Sequence, residues 1–158
     1  MACRTNLFVG MSDIFFEQKL ILSPEISNNL SGYVVNFLGM LQRHYRPFMK
    51  MLAFQMSSYE EFQRLIQQDP ETLTDLERAS RFLYLQRLSF RGNVNLTMRV
   101  ETHRSARGLK PFQFECVLKL IFHCLAGVSI EHLDWSDFIV RYDCLKILFY
   151  LSPLLLWF

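Results

Sequence analysis

Between Ser31 and about Gln55 the apolar residues Val34, Val35, Phe37, Leu38, Leu41, Phe48, Met49, Met51, Leu52 and Phe54 recur at three- and four-residue spacing. That period predicts helical structure with one buried face. Pro47 is expected to divide the stretch into two helices, because an interior proline lacks a donor and crowds the preceding turn. Ser58 with Glu61, and Thr74 with Glu77, stand at the spacing of capping boxes, so each pair predicts a helix start, the second helix running to about Phe90. A further helix is expected from about Pro111 to Leu125, stopped at Gly127. Another runs from Trp135 to Tyr142, with Asp134 as its N-cap.

Four short stretches read instead as strands: Leu7-Phe8-Val9 before Gly10, the segment Leu20 to Asn29, Val128-Ser129-Ile130, and Leu148-Phe149-Tyr150-Leu151. The last is an apolar run ended by Pro153, which predicts a strand covered on both faces. The expected fold class is therefore α/β but mostly α, with a small sheet near Leu7, Ile21, Ile130 and Phe149. In open α/β sheets ligands bind beyond the carboxyl ends of the strands. Gly10, in a turn between a strand and a helix start, and Ser152 with Pro153, after the last strand, are the first candidates for a site.

Composition narrows the class. A chain of 158 residues, 51% hydrophobic and 20% charged, has enough apolar residues for the core of one globular domain. Its net charge of +2 gives no argument for nucleic acid, so that case rests on local clustering. Arg78, Arg81, Arg87, Arg91, Arg99, Arg104, Arg107 and Lys110 form such a cluster, opposed only by Glu101, with Phe82, Tyr84 and Phe90 interleaved. Two readings apply: a solvated helix face, or a surface whose arginines meet phosphates and whose aromatics pack beneath them or stack on bases. Cys3, Cys116, Cys124 and Cys144 include no Cys-x-x-Cys pair and read as reduced thiols, with no metal site expected. His123, on a mostly apolar helix, is expected as a core or boundary residue. No signal peptide is recognised, and the apolar carboxyl-terminal run is shorter than the roughly 20 residues that cross a bilayer. A cytoplasmic location without a membrane partner is the expectation.

Taken in order, Phe8-x-Gly10, Asn28-Asn29, a long helical stretch with Leu83 to Phe90 followed by Gly92, Asp134-Trp135, Tyr142-Asp143 and Leu148-Phe149-Tyr150-Leu151 resemble the phage and Dam-like adenine-N6 DNA methyltransferases. The resemblance runs from Phe8 to Pro153. It implies a partial Rossmann-like methyltransferase fold, with residues 1–30 and 126–158 forming the remnant of the catalytic α/β domain. Residues 31–125 would be a helical insert resembling the family's DNA-recognition region. The implied cofactor is S-adenosylmethionine: Phe8 and Gly10 close over its methionine end, Asn28 and Asn29 stand at its ribose, and Asp134 accepts from its adenine amine beside Trp135. The implied partner is DNA, contacted through Arg81, Arg87 and Arg91.

The chain also departs from the family pattern. Ser12 replaces the second glycine of Phe-x-Gly-x-Gly, a Pro-Gly-Gly-Lys segment is absent, and Asn29 replaces an acid whose bonds to ribose hydroxyls would be charge-assisted. At the catalytic Asp-Pro-Pro-Tyr, Ser152 stands for the aspartate, Pro153 matches the first proline, Leu154 replaces the second, and Leu155 replaces the tyrosine that stacks on the flipped adenine. The reading is a truncated adenine methyltransferase of phage or prophage origin that has lost methyl transfer. The alternatives are a non-catalytic DNA-binding module and an unselected gene remnant. A shift of frame after Pro153 would turn Pro-Tyr-Tyr-Cys-Gly codons into Leu-Leu-Leu-Trp, as Leu154 to Trp157 read. Asn28 and Asn29 carry a plainer reading too, as caps of the helix that follows them.

Overall fold

The computed structural model describes residues 3–6, 25–54, 58–88, 111–145 and 147–150. Most of these residues are helical. Among them four short strands form one parallel sheet: β1 (Cys3–Asn6), β2 (Glu25–Asn28), β3 (Ser129–Glu131) and β4 (Ile147–Tyr150), in the order β3-β2-β1-β4. Arg4 stands opposite Glu25 and Leu148, Asn6 opposite Ser27 and Tyr150, and Asn28 opposite Glu131. All four strands therefore end at one edge of the sheet. The chain steps outward from β1 to β2 to β3 and then crosses back to β4 on the other side of β1, so the order reverses between β1 and β4.

Two strand expectations need correcting. The first strand forms from Cys3–Asn6, which carries no apolar run, because pairing on both sides with β2 and β4 outweighs the propensity of the segment. Leu7 to Val9, where the strand was expected, lie outside the described residues. The last strand is where its apolar run predicts, but it is not covered on both faces: Leu148 is 56% exposed, with Ile147 and Phe149 half-buried.

The helices are α1 (Gly32–Arg43), α2 (Tyr45–Ala53), α3 (Tyr59–Gln67), α4 (Asp75–Leu88), α5 (Pro111–Cys124) and α6 (Trp135–Tyr142), with a 3-10 turn at Pro70–Thr72. The break between α1 and α2 falls at His44 and not at Pro47. Proline is tolerated in a first turn, whose amides have no intrahelical partner, while its ring excludes a continuous helix through residue 43, four positions back. Helix α4 begins at the reciprocal Thr74–Glu77 box: the Glu77 amide donates to Thr74 Oγ1 at 3.4 Å, and the Thr74 amide donates to Glu77 Oε2 at 2.9 Å. At α3 only half of the expected box forms. The Glu61 amide donates to Ser58 Oγ at 3.0 Å, but the Glu61 carboxylate turns to Arg64 instead of reaching back.

Helix α4 is the axis of the helical part. Every residue from Ala79 to Leu85 is buried, so this helix presents no wet face over two turns. Phe82, Leu83 and Ala79 join Phe37, Leu38 and Leu41 of α1, Phe48 of α2, and Leu118 and Leu125 around α5 in one core. Tyr84 and Leu85 meet Phe62 and Leu65 of α3 in another. The expected basic stripe is corrected accordingly. Phe82 and Tyr84 are core side chains, 6% and 0% exposed, and neither offers a face to a base.

The same helix holds both ends of α3. Tyr84 donates to the Ser58 carbonyl at 3.2 Å and accepts from the Ser58 amide at 3.3 Å, at the start of α3. Arg81 Nε donates to the Leu65 carbonyl at 2.7 Å, and its Nη2 reaches the Ile66 carbonyl at 3.4 Å, at the end of α3. These carbonyls of a last turn have no intrahelical donor, and the arginine supplies one. Burial pushes the Tyr84 hydroxyl upward and lowers the Arg81 guanidinium from its ordinary value.

Gln42 of α1 performs a similar service for α5. Its Nε2 donates to the carbonyls of Leu125 at 2.7 Å and Val128 at 2.8 Å. Between them Gly127 turns with φ of +81°, a conformation that favours glycine and ends α5 as predicted. Strand β3 follows directly, so Gln42 fixes where it enters the sheet. His123, by contrast, is exposed, with its ring 5.4 Å from Phe122. Its helical face turns outward because Leu118 and Leu125 already anchor α5 to the core.

Candidate cofactor site at the strand ends

The carboxyl ends of β2 and β3 lie side by side, and Asn28 joins them. Its side chain is 2% exposed, its Nδ2 donates to the Leu133 carbonyl at 2.9 Å, and its Oδ1 accepts from the Leu133 amide at 2.9 Å. An amide side chain matches a peptide group in this way because both carry one donor and one acceptor side by side. The Asn29 amide adds a bond to the Glu131 carbonyl at 3.2 Å, and His132 Nε2 lies 2.9 Å from the Leu30 carbonyl. The β2–α1 turn and the β3–α6 turn are thereby pinned together.

Asn29 Oδ1 accepts from the Ser31 amide at 2.8 Å, forming a turn that leads into α1. Asn29 is therefore not the helix cap that its position suggested, since the bond goes to the amide of the N-cap residue and not into the first turn. The helix N-cap itself is Ser31, whose side chain makes no capping bond. Asn28 caps nothing: it is a buried bracket between two loops.

Asp134 is the N-cap of α6, as its spacing predicts. Its Oδ1 accepts from the Ser136 hydroxyl at 2.7 Å and the Ser136 amide at 2.9 Å, and the hydroxyl bond, followed by the amide, holds this carboxyl below its ordinary value. Both bonds fall on one oxygen of an exposed carboxylate, which keeps capacity for another donor. Trp135 beside it is 57% exposed, and Leu30 across the turn is 62% exposed. The turns after these two parallel strands thus leave two large apolar side chains uncovered.

Helix α6 is anchored beneath this edge. Phe138 is fully buried and meets Phe149 of β4 edge-on at 6.4 Å, and Tyr142 donates to Glu131 Oε1 at 2.6 Å. That bond, before burial, raises the Tyr142 hydroxyl above its ordinary value. The acid whose oxygen it holds is the last residue of β3.

The sequence-predicted residues thus divide. Asn28, Asn29 and Asp134 are brought together at one edge by the sheet and the Asn28–Leu133 pair. Phe8, Gly10, Arg91, Ser152 and Pro153 lie outside the described residues, and Arg87 falls in the last turn of α4. Arg81 does not form part of a DNA-facing stripe. It is 8% exposed and committed to the end of α3.

Of the residues that the resemblance assigns to a cofactor, only Asp134 keeps an uncommitted side-chain acceptor among the described residues. Its second carboxylate oxygen lies beside Trp135, whose ring is 57% exposed. The Asn28 amide is consumed by Leu133, and no carboxylate stands at position 29, so the ribose hydroxyls would lose charge-assisted acceptors. Sequence reasoning missed His132 and Leu133, because one acts through a ring contact to a carbonyl and the other through its backbone alone. Among the described residues no helix is long and apolar enough to cross a membrane. No family model and no curated protein matches the chain.

Proposed function

We propose that this chain is a degenerate relative of the adenine-N6 DNA methyltransferases, with a Rossmann-like half-sheet that retains the adenine end of an S-adenosylmethionine pocket and has lost methyl transfer. The observation that carries the reading is the pairing of Asn28 with Leu133, which brings the turn after Asn28–Asn29 and the turn before Asp134–Trp135 together at the ends of neighbouring parallel strands. They are separated by more than a hundred residues of mostly helical chain, yet the resemblance assigns both to one cofactor. The strand order, reversing between β1 and β4, supports a doubly wound architecture, whose ligands lie beyond the strand ends at such a reversal.

In this reading Asp134 takes the adenine amine and Trp135 packs beside the ring. At the positions of the ribose-binding acid and the Asp-Pro-Pro-Tyr motif stand Asn29 and Ser152 to Leu155. DNA is the implied partner. Its contact falls to Arg87, Arg91 and the basic residues after them, since Arg81 is occupied inside the fold.

Calorimetric titration with S-adenosylmethionine and with adenosine tests the reading. Both ligands should bind with similar affinity, weaker than about 1 mM, because the contacts retained are to the part they share. Asn29→Asp should tighten both, since a carboxylate restores the ribose acceptor and suits the start of α1. A micromolar site in the wild-type chain would refute the claimed loss. Failure of Asn29→Asp to strengthen either ligand would refute the assignment of the site.

A further inference from the structure

A cavity of about 310 Å³ opens among α2, α3 and α4, away from the sheet and independent of the function proposed above. That volume lies at the lower end of the range for small-molecule sites, roughly 300 to 1,000 Å³. Its apolar wall is formed by Met51, Phe54, Leu65 and Leu73. Phe54 is 80% exposed, an unusual position for a large aromatic ring with no polar atom.

Arg81 lines the same cavity. Its guanidinium carries five N–H donors, and the Leu65 and Ile66 carbonyls take only part of that set. No carboxylate lies in ion-pair range of it among the described residues, where the salt bridges are Arg64–Glu61 and Arg78–Asp75. The acid one helical turn before it, Glu77, also borders the cavity, but its Oε2 is turned to the Thr74 amide and hydroxyl at 2.9 and 2.7 Å. Arg64 at the rim is held bidentately by Glu61. The Arg81 cation thus stands nearly buried at one side of the cavity, with Asp69 acting on it from beyond ion-pair distance.

The geometry points to a binding site for a small amphipathic carboxylate, its head on the Arg81 fork and its apolar body against Met51, Phe54 and Leu73. Arginine suits such a head because its planar fork meets both carboxylate oxygens. Gln68 and Ser80, which also line the cavity, place further polar groups beside the head.

The test is heteronuclear NMR titration of the full chain with hexanoate, hexanamide and inorganic phosphate. Hexanoate should shift the amides of Leu73, Ser80 and Arg81 saturably, and hexanamide should bind roughly ten- to a hundredfold more weakly, as expected for loss of bonds to a charged group. Phe54→Ala removes an exposed ring that the core does not use, so the fold should stand while hexanoate weakens several-fold. Arg81→Met should abolish the preference for hexanoate over hexanamide. If that variant unfolds, the Phe54→Ala comparison still decides. Equal binding of hexanoate and hexanamide, phosphate binding as tight as hexanoate, or no effect of Phe54→Ala would each overturn the assignment.

Discussion

Replacing Asn28 with alanine separates the bracket role from a ligand role. In the native chain the side chain is 2% exposed and makes two bonds of 2.9 Å to the backbone of Leu133, across 105 positions of sequence. Each intramolecular bond contributes about 0.5 to 1.5 kcal/mol net, and leaving the partly buried Leu133 groups unpaired adds a desolvation penalty. The expected loss is about 3 kcal/mol, which in a protein of this size lowers the melting temperature by roughly 6 to 12 °C. Urea unfolding followed by far-ultraviolet circular dichroism measures it. Amide exchange of Leu133 and Glu131 should speed up beyond that of the α4 core, because the bracket is local to the strand ends. A variant within about 0.5 kcal/mol of wild type would refute the reasoning, since that is the range of an ordinary surface substitution. Asn28→Asp sharpens the test. The introduced carboxylate keeps an acceptor for the Leu133 amide but opposes its carbonyl, so the folded chain should favour the protonated form and raise the carboxyl above its unfolded value. The penalty should then be full at neutral pH and shrink as pH falls through that raised value.

The remaining predictions concern charge and surface. Arg81→Ala should destabilise the chain by about 2 to 3 kcal/mol in chemical denaturation, because it strips the donor from the end of α3 and leaves buried carbonyls unpaired. Arg87→Ala with Arg91→Ala should leave stability near wild type and reduce any salt-sensitive DNA binding in a filter or anisotropy titration; unchanged binding would remove DNA as a partner of these residues. Glu77 and Asp134 have carboxyls lowered below 4.5 and 3.8 by their capping bonds. What they contribute is present above those ordinary values and lost as pH falls through the lower folded ones, so NMR titration of both carboxyls should give midpoints below the ordinary values, and midpoints at those values would remove the caps. Val140→Ser with Leu145→Ser should change stability little, since these side chains are 81% and 95% exposed, while reducing self-association in sedimentation; increased unfolding would mean that the surface is packed.

What the sequence made legible was local. Helix α6 and its Asp134 cap, the Thr74–Glu77 box and the Gly127 stop each depend on residues within a turn or two of one another, and each stands where its spacing predicts. Pro47 misled because proline marks a first turn as readily as a break, and which applies depends on its distance from the end of the preceding helix. Strand β1 was hidden because Cys3–Asn6 has no apolar signal of its own and exists through partners on both sides. Arg81 was misread for a related reason. A basic residue on a helix looks like a wet face until α3 is known to end against it.

The Asn28 bracket carries the same lesson into the candidate site. Leu133 contributes only a peptide group, so its pairing with a side chain 105 residues earlier leaves no mark in the residue types. Yet that pairing decides which chemistry the edge can perform. With the Asn28 amide spent on holding two loops together, it is not available to a ribose, and the adjacent Asn29 lacks the charge that would compensate. Asp134 differs because its cap uses one oxygen of an exposed carboxylate and leaves acceptor capacity beside Trp135. The residues that stabilise the strand ends are therefore separable from those that would hold a ligand. The helical cores around α4, meanwhile, draw on neither set.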